Sequence, residues 1–132
     1  MQYKTDLKEK FTVVTFLDAS LTSNSVPEIN ELTQKMLSQS PKNLVLNCGH
    51  VKQWDASIIE VLANAQQQFY DNNASFVICA LSDTLQKGID DSEFAEMMNL
   101  TPTETEAWDI VQMEEIEREL LDSDDIEFSA EI

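Results

Sequence analysis

Two short, uninterrupted apolar stretches constrain the fold of this chain more than any other feature. They lie within residues 43–47 (NLVLN) and 75–80 (SFVICA), and neither alternates apolar with polar positions. Alternation marks a strand with one face in water, whereas an unbroken apolar run indicates a strand buried on both faces. Each stretch is followed by a helical pattern of apolar residues. The sequence therefore predicts inner strands of a sheet with helices packed against it.

The remaining elements follow from periodicity and from residues that begin or end helices. The sequence predicts a hairpin of strands 2–7 and 11–17, a helix that Ser23 or Asn24 caps, and helices over 56–71 and 82–90. It also predicts a further helical turn at 94–98 and a strand at 100–101. A last helix is predicted from a capping box (TETE, 103–106) to about residue 121. The predicted fold class is α/β, a single domain with a mixed sheet of about four or five strands and about four helices.

Length and composition predict one domain with a distinct C-terminal end. A chain of 132 residues can bury a core without disulfides or metals. We expect the domain to span residues 1–121. Residues 122–132 (DSDDIEFSAEI) hold five acidic residues and no basic one. Their apolar content is too small to anchor the segment to the domain. They are predicted to form a flexible acidic tail.

The net charge restricts the partners. The chain has 8 basic and 25 acidic residues, a formal charge of −17. Such a protein repels nucleic acid and anionic membrane surfaces, so we expect neither as a partner. The N-terminal segment lacks an apolar signal region, and no window approaches 18 apolar residues. These observations predict a cytoplasmic protein that does not insert into a membrane.

The sequence offers little catalytic or metal-binding chemistry. Its two glycines, Gly49 and Gly88, cannot build a phosphate-cradling loop, and His50 is the single histidine. Cys48 and Cys79 stand at the ends of two predicted strands without the spacing of a zinc or redox site, so we expect buried, reduced thiols. We predict that the protein is not an enzyme and uses no cofactor or metal.

The functional signal lies in the strand, turn and helix of residues 43–59. Asp55, Ala56 and Ser57 open the helix that follows the turn. The first turn of a helix carries unpaired backbone N–H groups that favour negative charge. A serine at this position can therefore carry a phosphate at little structural cost. Trp54 just precedes the helix, either as an apolar staple against Ile58 or Ile59 or as an exposed anchor for a partner.

This arrangement resembles the STAS domain family of bacterial anti-sigma-factor antagonists. Asn47 stands where the family has an aspartate at the strand end, Val51 falls on its apolar loop position, and Asp55-Ala56-Ser57 covers its Asp-Ser-Ser core. The resemblance implies the same fold and phosphorylation of Ser57. Ile58 replaces the family glycine, and its branched side chain is expected to hinder a kinase.

The resemblance also implies a partner and a contact surface. The partner would be a serine kinase that uses ATP and inhibits a sigma factor, and this protein would relieve that inhibition. The predicted contact residues are Trp54, Asp55, Ala56, Ser57 and Ile58.

Three other interpretations stay open at this point. Ser57 can serve only to cap the helix. The chain can be a STAS subunit that docks an ATPase or permease of a transport complex without phosphorylation. It can also be a scaffold or homodimer that assembles through the open edge of the sheet. Trp108, in the last helix, is predicted to be a core residue.

Overall fold

The structure, a computed structural model, describes the backbone of residues 1–131 and the side chains of residues 1–121. The strands are β1 (Tyr3–Leu7), β2 (Thr12–Phe16), β3 (Ser20–Leu21), β4 (Leu44–Asn47), β5 (Gln53–Trp54), β6 (Phe76–Cys79) and β7 (Leu100–Thr101). The helices are α1 (Val26–Leu37), α2 (Ala56–Asp71), α3 (Asp83–Asp90) and α4 (Glu104–Glu131), with 3-10 turns at Ser23–Ser25 and Ala95–Met97. In the described part of the chain, no helix combines the length and apolar character that crossing a membrane requires.

The main sheet confirms the predicted fold class. Its five strands lie in the order β1-β2-β4-β6-β7, with β1 antiparallel to β2 and the other neighbours parallel. The two apolar stretches become the inner strands β4 and β6. A second sheet, in which β3 and β5 pair in parallel, was not predicted because each strand has two residues and shows no pattern.

Helices cover both faces of the main sheet. On one face, α1, α2 and α3 enclose the larger core, whose bulkiest buried residues are Phe16, Phe69 and Phe76. On the other face, α4 packs Ala107 and Val111 against a row of valines that the register aligns across three strands, namely Val13, Val45 and Val77. This double coverage explains why the inner strands do not alternate.

The helices agree with the predictions except at three points, two at helix ends and one in the burial of a side chain. The 3-10 turn before α1 is capped by Thr22, whose Oγ1 accepts from the N–H of Asn24 at 3.3 Å, and not by Ser23 or Asn24. Trp108 lies at the margin of the core, 36% exposed, with its ring centroid 5.3 Å from that of Phe11, so its prediction as a core residue was wrong. α4 continues to Glu131, past the predicted end near residue 121. The side chains of residues 122–131, and all of residue 132, lie outside the described part, so the acidic tail stays a prediction.

A polar cluster joins α4 to the start of the inner strands. Asn43 Oδ1 accepts from the N–H of Ser75 at 2.8 Å, and Asn43 Nδ2 donates to the carbonyl of Lys10 at 2.9 Å and to Glu115 Oε1 at 2.6 Å. Arg118 on α4 donates to Ser75 Oγ at 3.3 Å. Asn43 and Ser75 are buried, so these bonds satisfy groups that water does not reach.

The two cysteines are buried thiols, as predicted. Both are free, and the N–H of Cys48 donates to the carbonyl of Cys79 at 3.0 Å. Burial raises the pKa of Cys48 far above its ordinary value, and the neighbouring Cys79 adds a smaller effect in the same direction. The pKa of Cys79 is raised to about 12, mainly by burial and to a smaller extent by the carboxylate of Glu104. Both thiols therefore remain protonated and unreactive near neutral pH.

Replacing Asn43 by alanine should destabilise the fold by about 2–3 kcal/mol. The substitution leaves the buried N–H of Ser75 without its acceptor and removes three further bonds, with Lys10, Glu115 and Arg118. The free energy of unfolding from urea titration measures this effect. Lys42→Ala, at the exposed neighbouring position, is the control and should change stability by less than about 0.5 kcal/mol. Equal effects of the two substitutions would contradict the role given to Asn43.

The thiols should make stability fall at alkaline pH. In the unfolded chain they lose protons near the ordinary pKa of 9.0, whereas in the folded protein they retain them to higher pH. The folded state therefore binds more protons above pH 9, and raising the pH from there toward about 12 favours unfolding. Each thiol contributes a slope of up to about 1.4 kcal/mol per pH unit.

Urea titrations across this pH range, on the wild type and on the double variant Cys48→Ala, Cys79→Ala, isolate the contribution of the thiols. Because the two proteins differ only at the thiols, the difference between their two slopes is the contribution of the thiols. We expect the shallower slope in the double variant. The same slope in both proteins would show that the thiols do not control alkaline stability.

Candidate functional site

The candidate site begins where β4 ends and the chain turns toward α2. Asn47 Oδ1 accepts from the N–H of Gly49 at 2.8 Å, which closes a turn of the kind that asparagine favours. A Cβ on Gly49 would lie 3.1 Å from the same oxygen, so this tight turn favours a glycine. Val51 follows, 1% exposed, and fixes the middle of the loop to the core. His50, between them, is exposed.

The second half of the loop is fixed by the two-residue strand β5. The N–H of Lys52 donates to the carbonyl of Ala19 at 2.7 Å. The N–H of Asp55 donates to the carbonyl of Leu21 at 3.1 Å. Trp54 pairs with Leu21 in this small sheet and is half-buried against the larger core, which includes Ile58 and Ile59. The structure thus leaves part of the indole on the surface.

Asp55 connects the start of α2 to the segment before α1. It is the N-cap residue of α2, with extended backbone angles. Its side chain does not cap α2 through any group in the described part of the chain. Instead, its Oδ2 accepts from the N–H of Ser23 at 2.9 Å. This bond spans 32 residues of sequence, which is why sequence patterns do not reveal it.

Ser57 lies in the first turn of α2, as predicted. The residue is half-buried, and its Oγ is inaccessible and finds no hydrogen-bond partner among the residues whose side chains are described. A buried hydroxyl without a partner costs about 1–3 kcal/mol. Ser57 therefore does not cap α2 through its side chain, and the hydroxyl could rotate outward without breaking a bond to any of the described residues.

The five predicted contact residues differ in accessibility. Asp55 and Ala56 are exposed, whereas Trp54 and Ser57 are half-buried. Ile58 is 0% exposed and points into the larger core. Its burial corrects two expectations, because Ile58 can neither contact a partner in this conformation nor obstruct a kinase from outside. The accessible candidate surface therefore consists of Trp54, Asp55, Ala56 and Ser57.

The electrostatics around this surface come from its own carboxylate and from the helix end. The N-terminus of α2 presents backbone N–H groups and a partial positive charge. Asp55 is the acidic group beside it, while the first turn of α2 holds no acidic residue of its own. In the described residues, no group of three or more His, Cys, Asp or Glu side chains could hold a metal ion.

Solved structures with similar folds include regulators and one transporter. An anti-sigma-factor antagonist (STAS) domain protein from Planctomyces limnophilus is 17% identical with a TM-score of 0.69, over 80% of this chain and 93% of that one. The Bacillus cell fate determinant SpoIIAA in its phosphorylated form is 16% identical with a TM-score of 0.62, over 83% of this chain and 99% of that one. The murine Solute Carrier 26 family member A9 anion transporter, in its inward-facing state, is 14% identical with a TM-score of 0.64, over 82% of this chain and 18% of that one.

Sequence identities this low show the fold but not the family, which a family model assigns. The model for the STAS domain matches residues 4–107, which include the five-stranded sheet except Tyr3, the candidate surface and the first turn of α4. The loop between β4 and α2, with Asn47, Val51 and Ser57, lies inside the matched range. The chain belongs to the STAS domain family.

Proposed function

We propose that this protein is a regulatory anti-sigma-factor antagonist that binds a protein partner through Trp54, Asp55, Ala56 and Ser57. Phosphorylation of Ser57 ends the interaction. By analogy with the family, the partner is a serine kinase that inhibits a sigma factor, and the protein acts in cytoplasmic transcription regulation without being an enzyme. The observation that carries the proposal is the Ser57 hydroxyl, which lies in the first turn of a helix and has no hydrogen-bond partner among the described side chains.

The rigid loop supports a binding role for this surface. Backbone bonds from Lys52 and Asp55 to the segment before α1, together with the buried Val51, hold the start of α2 in one position. A surface that is ordered before binding loses little conformational entropy when a partner docks. The exposed Asp55 and Ala56 then form the accessible centre of a preformed site.

The switch follows from where a phosphate would place its charge. Phosphorylation adds about −1.5 to −2 charge to Ser57. Once the buried Ser57 side chain has rotated outward, the N-terminus of α2 stabilises that charge by about 0.3–1 kcal/mol, so the fold tolerates it. In an interface the same charge would be desolvated beside the carboxylate of Asp55, at a cost that a partner must offset with new cations. The modified protein therefore stays folded but loses its partner.

The second candidate is a subunit that docks constitutively in a transport complex. The structural similarity to part of a murine anion transporter favours it, because that protein contains this fold and has a transport function. In this case the same surface would bind an ATPase or a permease whatever the state of Ser57. Recovery of the protein from its native cells in a membrane-bound complex would support this candidate.

Substituting Ser57 by aspartate should weaken partner binding by about 10- to 100-fold, which corresponds to about 1.4–2.8 kcal/mol. Ser57→Asn is the matched control, since asparagine has the same shape as aspartate without its charge, and Ser57→Ala removes the hydroxyl alone. Both controls should stay within a few-fold of the wild type. Calorimetric titration with the partner purified from the native cells gives the dissociation constants of the wild type and the three variants, and urea unfolding checks that each variant is folded.

The pattern of affinities separates the candidates. Loss of binding in Ser57→Asp alone assigns the effect to charge and supports the switch. Equal loss in Ser57→Asp and Ser57→Asn would mean that shape, not charge, is recognised. Unchanged binding in all three variants would contradict the switch and favour constitutive docking.

A further inference from the structure

The first strand, β1, is an unprotected edge of the main sheet. It pairs on one side with β2, and its other side has no partner strand in the described part of the protein. All five of its residues are exposed, and Leu7 is 71% exposed, an unusual position for a leucine. An open edge of this length can template the addition of another strand. The opposite edge, β7, has two residues.

The hydrogen-bonding direction of β1 can be assigned residue by residue. The N–H of Lys8 donates to the carbonyl of Phe11, and the N–H of Leu17 donates to the carbonyl of Gln2, both at 2.9 Å. Because backbone groups alternate in direction along an antiparallel strand, the even-numbered residues of β1 bond to β2. The N–H and carbonyl groups of Tyr3, Thr5 and Leu7 therefore point outward, toward the free edge.

We propose that two copies of this chain associate by antiparallel pairing of β1 with β1 about a two-fold axis at Thr5. This register places the outward backbone groups of Thr5 opposite those of the other Thr5, and those of Tyr3 opposite those of Leu7. Each such pair exchanges two backbone hydrogen bonds, so the pairing forms about six. The two five-stranded sheets become one continuous sheet.

The side chains of β1 are complementary to themselves in the same register. Lys4 of one copy lies opposite Asp6 of the other, twice by symmetry, in non-hydrogen-bonded pairs, where side chains approach most closely. On the opposite face, Tyr3 of one copy lies opposite Leu7 of the other, which covers the exposed leucine. A shift by two residues in either direction would lose both matches. The sequence of β1, YKTDL, thus specifies the register.

Charge also favours a second copy at this edge rather than elsewhere. The whole chain carries −17, so two copies repel over most of their surfaces. Residues 1–10 differ, because three lysines stand against Asp6 and Glu9, a local formal charge of +1. The β1 edge is therefore a place where two copies of this acidic protein can meet without local repulsion between acidic groups.

Sedimentation equilibrium over a range of protein concentrations tests the dimer. The wild type should approach twice the 15.0 kDa mass of the chain as concentration rises. Thr5→Pro should stay at the monomer mass, because proline removes an outward N–H at the two-fold axis while leaving every bond to β2 intact. Thr5→Val keeps the N–H and is the matched control, which should dimerise like the wild type.

Charge exchange tests the register independently. Lys4→Glu places two acidic side chains opposite each other, and Asp6→Lys places two lysines opposite each other, so each single variant should weaken the dimer by at least about tenfold. The double variant Lys4→Glu, Asp6→Lys restores opposite charges and should recover most of the affinity. Urea unfolding of each variant at low concentration checks that the monomer is intact.

Three results would overturn the proposal. One is a wild type that keeps the monomer mass at every concentration up to about 1 mM. Another is a Thr5→Pro variant that is folded and dimerises like Thr5→Val. The third is a double charge variant that is no more dimeric than the two single variants. None of these outcomes depends on phosphorylation of Ser57, so they leave the proposed function to its own test.

Discussion

Burial of β4 on both faces and along both edges is the constraint on which the rest of this structure depends. Its backbone pairs with β2 and β6, while Leu44 and Leu46 enter the larger core and Val45 meets the layer of α4. A strand enclosed in this way cannot shift by one residue without turning its side chains to the wrong faces. The point at which it ends is therefore fixed, and so is the point at which the functional loop begins.

Because the loop is held by bonds along its length, the start of α2 also has a fixed position relative to β4. Asn47 closes the first turn, Val51 anchors the middle, and backbone bonds to the segment before α1 hold the last residues. Asp55 then ties the start of α2 to the N–H of Ser23. Within this ordered frame, the Ser57 hydroxyl is the group left without a partner among the described side chains. The structure thus combines a well-bonded loop with one buried hydroxyl that makes no hydrogen bond to those side chains.

The fold could be predicted from sequence wherever one residue pattern dominated its neighbourhood. The bounds of α2 were predicted at residues 56–71 because apolar residues recur on one face and a polar turn follows. The strands β3 and β5 could not be predicted, since two residues carry no periodicity and their pairing joins segments far apart in sequence. Trp108 was misplaced because helical spacing gives the side of a helix but not how far a sheet extends beneath it.

The candidate site was predictable in its location but not in its contacts. The order of strand, turn and helix placed Ser57 correctly, and the family resemblance gave it a role. The burial of Ile58 could have been inferred, because it shares the apolar face of α2 with Leu62, Ala65 and Phe69. The bond between Asp55 and Ser23 could not, since it depends on how α1 and α2 pack together.

Whether Ser57 is phosphorylated in the cell can be measured by intact mass spectrometry of the protein purified from its native cells, before and after phosphatase treatment. If Ser57 is the switch, the protein carries one added phosphate, about 80 Da, that phosphatase removes and that peptide mapping assigns to the segment holding Ser57. Absence of phosphate from Ser57 under every growth and stress condition would contradict the switch.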